Sequence, residues 1–353
     1  MGGGAFEDAA RVPSRDELDR VAACVMEALA RAGALRVGMP PELLDKATFG
    51  DIDLLVAAPP DPPARTALVR AALASVGAAG AQVLRCGDLE SFLCQPERYQ
   101  IDLLFVEPQA FDIACATRAH GDTTWLLNLG LRQVGLKLSE KSFAIRGECC
   151  ALDLGRDFDL SQDPAKIAAF LGLEPRAFDG QSPLTLEQAF VAVTKSRFFR
   201  LADFRRFDTL DTSSSRRRVK RRPMLAAFRK WLAAESHAEL LAGESVRETV
   251  ASVHASALAF FDRADTFAAA LCEAEFRAAE AASKRVCSDR VGGARIRELF
   301  PHLSGPDVGK VLALVRGDSW QTCAQWLSSI ADDSVVLDRI AQAVAALHST
   351  AVT

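Results

Sequence analysis

Residues Phe49-Gly50-Asp51-Ile52-Asp53-Leu54-Leu55-Val56 decide how this chain folds. Two carboxylates flank one apolar residue directly after a glycine, and an apolar run follows. Leu54-Leu55-Val56 has the make-up of a buried strand. Side chains two apart on a strand share a face, so Asp51 and Asp53 project side by side. Unpaired carboxylates that close repel each other unless something positive sits between them. A divalent cation answers that need, and magnesium in particular takes a few carboxylate oxygens while keeping positions for water and substrate phosphate.

A second stretch, Tyr99-Gln100-Ile101-Asp102-Leu103-Leu104-Phe105-Val106, reads as another apolar strand with one acid at its start. Asp51, Asp53 and Asp102, delivered by neighbouring strands, would hold a pair of metal ions for an in-line displacement at phosphorus. Taken singly, each acid could as well cap a strand or sit in a turn. The combination of a glycine, paired acids, an apolar strand and a later strand with a lone acid is what points to metal chemistry.

Gly50-Asp51-Ile52-Asp53 before an apolar strand, with Gln100-Ile101-Asp102-Leu103 later, resembles the palm of the DNA polymerase β nucleotidyltransferase superfamily. The resemblance implies that Asp51 and Asp53 bind two Mg²⁺ ions, with Mn²⁺ as a possible substitute, and that Asp102 binds the one at the attacking hydroxyl. That superfamily carries a glycine–small residue turn about ten residues before the paired acids, in contact with the triphosphate. Here the matching turn is Val37-Gly38-Met39, with Met39 where serine is usual and Pro40-Pro41 after it. Lys46, between turn and acids, falls where the family often has a basic residue, and Gly50 completes the implied nucleotide-binding set on this side. The stretches Asn128-Leu129-Gly130-Leu131-Arg132 and Gly135-Leu136-Lys137-Leu138 look like the helix and final hairpin that close the palm. The resemblance implies that Asn128 and Arg132 face nucleotide or primer and that Lys137 reaches phosphate. Read without it, Asn128 starts a helix, Arg132 lies on a solvated face and Lys137 flanks a surface turn.

Charge is unevenly spread. The 353 residues sum to a formal net charge of -4, yet Lys195 to Lys230 holds thirteen Lys/Arg against three Asp. That local excess of ten leaves about -14 for the rest and marks a phosphate-attracting surface. Its densest part, Arg216-Arg217-Arg218-Val219-Lys220-Arg221-Arg222, supports three readings: a grip on nucleic acid, a nuclear import signal or a solvated loop. The nine cysteines include no Cys-x-x-Cys spacing, which argues for reduced thiols in a cytoplasmic or nuclear compartment. No apolar run approaches a membrane span, and the opening residues match neither a signal peptide nor a transit peptide, so no membrane partner is expected.

Taken in order, residues 1–14 are expected to be disordered. Ser14-Arg15-Asp16-Glu17 is a capping box, opening a helix that leads to a strand at Leu35-Arg36-Val37. Alternating strands and helices then predict an α/β (α+β) palm with a mixed sheet over residues 15–155. From 156 to 353 the pattern is helical: Asp163-Pro164 and Thr185-Leu186-Glu187-Gln188 are helix starts, and an all-helical domain containing the basic segment 195–230 is expected. The five histidines do not cluster, and His254 is expected to be structural.

These expectations converge on a metal-dependent nucleotidyltransferase that moves a nucleoside monophosphate from an NTP to an acceptor hydroxyl, with a nucleic acid (RNA) 3′ end, extended without template, as the acceptor. The alternatives are transfer to a small molecule or protein and a catalytically degenerate nucleic-acid-binding scaffold, which Met39 favours. The oligomeric state, the choice of NTP and the pathway are not written in the sequence.

Overall fold

In the computed structural model the described residues are 5–350, apart from Pro60, Ala151, 206–221 and 235–247. They form a mixed α/β protein with a five-stranded mixed sheet and a helical C-terminal region. Most of the densest basic run, 216–221, lies outside the described residues. No helix among the described residues is long and apolar enough to cross a membrane.

The chain opens with helix α1 (Arg15–Arg31), whose N-cap Ser14 accepts from the Glu17 amide. Glu17 turns instead to Arg20, which donates to it at 2.8 Å, so the cap is satisfied from one side. Strands β1 (Arg36–Gly38) and β2 (Ile52–Ala57) follow, then α2 (Pro62–Ser75), β3 (Leu84–Cys86), β4 (Leu89–Leu93) and β5 (Gln100–Val106). The sheet order is β1-β2-β5-β4-β3. β2 and β5 run parallel at its centre, and the other neighbours are antiparallel. A parallel pair needs a long crossover, and α2 with the β3–β4 hairpin supplies it.

Central strands buried on both faces are apolar nearly throughout. Ile52, Leu54, Val56, Ile101, Leu103 and Phe105 pack under α1 and α2 around Val21, Val25, Leu29, Leu68 and Ala72. On the opposite face Leu55, Ala57 and Leu104 lie beneath Phe111, Ala114 and Cys115 of α3 (Phe111–Arg118). α3 covers only the later half of these strands. The earlier half of that face, where the aspartates begin, carries polar side chains.

Residues 5–14, expected to be disordered, are corrected by the packing. Val12 is fully buried and bridges Phe49, Ala10 bridges Tyr99, and Arg11 donates to the Thr48 hydroxyl. One valine carries the anchor: burying it and pairing its backbone offset the cost of ordering an otherwise polar segment.

α4 (Thr123–Gln133) packs on a second, three-stranded sheet of β6 (Leu136–Leu138), β7 (Phe143–Ile145) and β8 (Phe158–Ser161). Around it gather α5 (Pro164–Leu171), α6 (Leu186–Lys195), α7 (Leu201–Arg205), α8 (Pro223–Leu232) and α9 (Val250–Phe260). Asp163 caps α5, which ends at Gly172 in the left-handed conformation that favours glycine. Thr185 and Gln188 form the reciprocal box on α6. Phe143, Phe170, Phe198, Phe260 and Phe261 make one aromatic cluster, and Phe190, Phe204, Phe228 and Trp231 another.

The remaining helices are α10 (Ala264–Val291), α11 (Gly293–Leu299), α12 (Gly305–Arg316), α13 (Trp320–Ser328) and α14 (Asp333–Thr350). Packing groups the chain into two compact units, one within Met1–Ala151 and Arg156–Ala264, the other within Leu152–Gly155 and Asp265–Thr353. The helices up to α9 thus share a unit with both sheets. The second unit has its own core, built from Cys287, Val291, Val308, Val311, Val315, Leu327 and Ile340.

Candidate metal centre

Asp53 and Asp102 are direct partners across the parallel pair β2–β5. Asp51 stands two residues before Asp53, at the mouth of β2. All three carboxylates reach one spot: one oxygen from each lies within 4.8 Å of the others. Asp51 and Asp102 are buried, while the Asp53 side chain keeps 36% of its surface. Three acids at this spacing are the donor set of a hard cation that takes oxygen ligands, such as Mg²⁺ or Mn²⁺.

The surroundings hold the acids in place through hydrogen bonds and one long ion pair. Gln100, two residues before Asp102 on the same face, donates its Nε2 to both Asp102 oxygens at 2.9 and 3.0 Å. Ser91, the cross-strand partner of Asp102 on β4, hydrogen bonds the same carboxylate. Burial nevertheless keeps Asp102 above the usual carboxylate range, more than these bonds lower it. Burial, and then the neighbouring Asp51 charge, push Asp53 up to about 6, against the pull of Arg118. A cation between the acids would reverse both effects.

Arg118, on the last turn of α3, is the neighbour that sequence reading missed. Its Nη1 lies 3.5 Å from Asp53 Oδ1, and its Nε donates to Glu140 at 2.8 Å. Nothing local marks it, since it sits sixteen residues past Asp102 at the end of a short, mostly apolar helix. Ser91 and Gln100 were equally silent, although Gln100 at i−2 from an acid on a strand is a usable signal for a supporting bond. Glu140 also lines a cleft of about 910 Å³ along the far ends of β2 and β5, together with Arg65, Glu90, Phe105, Glu107 and Lys141.

The other residues singled out in the sequence have different surroundings. Gly38 ends β1 opposite Leu55, where a side chain would press on the Phe111 ring 3.2 Å away. Met39 packs against the core under α1 and α2. Lys46 pairs with Glu42 at 2.8 Å and lies over the Phe49 ring. Gly50 forms the bend directly before Asp51. The Asn128 amide is spent on backbone: Nδ2 donates to the Leu138 carbonyl at 2.8 Å, and Oδ1 accepts from the Leu138 amide at 2.9 Å. That pair of bonds ties α4 to β6. Arg132 is exposed at the end of α4, and Lys137 pairs with Asp157 at 2.6 Å. The described end of the basic run is also engaged, with Arg222 donating to Asp122 and stacking over Trp125. His254 is buried against the Gly135 carbonyl.

No protein-family model matches the chain, and no curated protein matches its sequence. The geometry of these acids and their neighbours is therefore what any functional reading has to stand on.

Proposed function

We propose that the chain is a metal-dependent nucleotidyltransferase of the DNA polymerase β superfamily type, transferring a nucleoside monophosphate from an NTP to the hydroxyl of a nucleic acid 3′ end, RNA by preference, without a template. The observation that carries this reading is the meeting of Asp51, Asp53 and Asp102 at one spot on adjacent parallel strands. The all-oxygen donor set suits magnesium, which when bound would neutralise phosphate charge and acidify the attacking hydroxyl.

In the transfer, the acceptor oxygen forms a bond to the α-phosphorus, the bond to the bridging oxygen of the leaving group breaks, and pyrophosphate departs. The Asp102 carboxylate, made more basic by burial and steadied by Gln100 and Ser91, takes the hydroxyl proton. Asp51 and Asp53 supply the fixed negative field that would hold the cation, whose charge in turn would attract the triphosphate. Positioning and charge neutralisation supply most of the acceleration in such a transfer. The basic segment 195–230 supports a nucleic acid acceptor by its charge. A degenerate scaffold is the second reading, favoured by Met39, whose side chain belongs to the core rather than to a phosphate-binding turn.

The test is incubation with α-³²P-labelled NTPs and Mg²⁺ in the presence of RNA, DNA or no acceptor, with Asp53→Asn as control. Label on an oligonucleotide, absent from the control, is the expected result. Label on a small molecule or on protein alone would replace the acceptor. Salt-sensitive RNA binding without any transfer would favour the scaffold.

A further inference from the structure

We infer that Arg118 is the triphosphate-binding side chain of this site, held against Asp53 until a metal ion takes its place; the inference rests on the reading above of a cation-dependent polyphosphate site. The other basic residues marked in the sequence for phosphate contact are engaged elsewhere, Lys46 with Glu42 and Lys137 with Asp157. Met39 packs into the core. Arg118 is a cation that the fold brings against Asp53, and three features of its placement suit it to this task.

First, its two ion pairs are unequal. The Glu140 bond is a full charge-assisted contact at 2.8 Å, whereas the approach to Asp53 at 3.5 Å is at the limit of a hydrogen bond. Glu140 is the anchor and Asp53 the contact that gives way. Second, Nη2 has no hydrogen-bond partner among the described residues, so the guanidinium keeps donors for an incoming oxyanion. Arginine presents those donors as a planar fork that matches phosphate. Third, both members of the weaker pair are open to solvent: the Arg118 side chain retains 24% of its surface and that of Asp53 36%.

The electrostatics give the order of events. Without a cation, Asp53 draws the guanidinium, and an incoming divalent ion would have to compete with it for that carboxylate. With a divalent ion on the acids, Asp53 would offer Arg118 little net attraction. A triphosphate at the same place would, and the guanidinium is free to turn to it while its Nε stays on Glu140. Arg118 therefore opposes metal binding in the empty site and favours polyphosphate binding in the filled one. A residue that only braced the fold would not act with opposite signs on the two ligands.

The experiment compares Arg118→Gln and Arg118→Lys with the unaltered full chain, using Mn²⁺ alone, followed by electron paramagnetic resonance, and then inorganic tripolyphosphate at saturating Mn²⁺, followed by calorimetry. Arg118→Gln is expected to bind Mn²⁺ about tenfold more tightly, because a unit charge a few ångströms away is gone. The same variant should bind tripolyphosphate about 10- to 100-fold more weakly, the range for losing a charge-assisted contact. Arg118→Lys keeps the charge and loses the fork, so its Mn²⁺ affinity should stay near that of the unaltered chain while tripolyphosphate recovers only in part. Unchanged or weaker Mn²⁺ binding in Arg118→Gln overturns the inference, as does unchanged tripolyphosphate binding. If Arg118→Gln fails to fold, Arg118→Lys decides: tripolyphosphate affinity equal to that of the unaltered chain refutes it, and a loss at unchanged Mn²⁺ affinity supports it. Neither readout requires turnover, so a chain that binds both ligands as expected yet transfers no label would sink the nucleotidyl-transfer reading and leave this one standing.

Discussion

Replacing Asp53 by asparagine keeps the shape of the site and removes one of three mutually repelling charges. In the folded chain its carboxyl is pushed up to about 6 from an ordinary 3.8, first by burial and then by Asp51. At about 1.36 kcal/mol per pH unit this displacement corresponds to roughly 3 kcal/mol of folding free energy lost at neutral pH. The Asp53 side chain is 36% exposed, and solvent screening reduces the figure to about 1–2 kcal/mol. The direction follows from the raised value: the folded state holds the proton more tightly, so Asp53 favours folding below about pH 4 and loses that contribution as pH rises through about 6. Asp53→Asn is therefore expected to raise the melting temperature in EDTA at pH 7.5 by about 2–4 °C per kcal/mol gained, and to lose this advantage as pH falls from 6 to 4. Mg²⁺ should act the other way. At a hundred times its dissociation constant a bound ion adds about 2.7 kcal/mol to the unaltered protein, and the variant should forgo most of that. Scanning fluorimetry across pH 4–8, with EDTA or with graded MgCl₂, measures both. A variant less stable than the parent in EDTA at pH 7.5, or one with an undiminished magnesium response, would refute the idea that the Asp53 carboxylate is held at a cost that a bound cation relieves.

Three further outcomes are expected. Gln100→Ala removes both amide bonds to Asp102 and should cost about 1–3 kcal/mol in urea denaturation, while pushing the Asp102 carboxyl further up, so that label transfer falls at neutral pH and recovers in part at higher pH. Asn128→Ala breaks two bonds to the Leu138 backbone and should cost about 2–3 kcal/mol while leaving the KM for NTP nearly unchanged; a large rise in KM with little loss of stability would return Asn128 to the nucleotide. Exchanging the five basic residues of 216–221 for serine, with Arg222 kept on Asp122, should lower the slope of log affinity for single-stranded RNA against log salt by up to about 3.5, read by filter binding at several salt concentrations.

Local signals carried much of the fold. Asp163-Pro164 and Thr185 to Gln188 become the helix starts their chemistry implies, because a cap depends only on residues within one turn. The apolar runs after Asp53 and Asp102 become central strands for a similar reason, since burial on both faces leaves no polar alternation. Long-range partners were hidden. Val12 is one valine in a polar tail, and its burial depends on Phe49. Asn128 bonds the Leu138 backbone at both ends of its amide, a pairing that residue type alone does not reveal. The change from strands to helices near residue 155 marks a change of pattern, whereas compact packing keeps the helices up to α9 with the sheets, through aromatic contacts that residue type alone does not pair.

The sequence by itself determined that two aspartates share a strand face and that a third begins another apolar strand, because side-chain direction along a strand follows from counting residues. Only the tertiary structure decided that the two strands lie side by side, parallel, and in the register that sets Asp53 against Asp102. It also decided that Arg118, from a helix on the same face, reaches the acids. Register and neighbourhood come from how helices and sheet bury their apolar surfaces together, a property of the whole core that no single stretch of the chain contains.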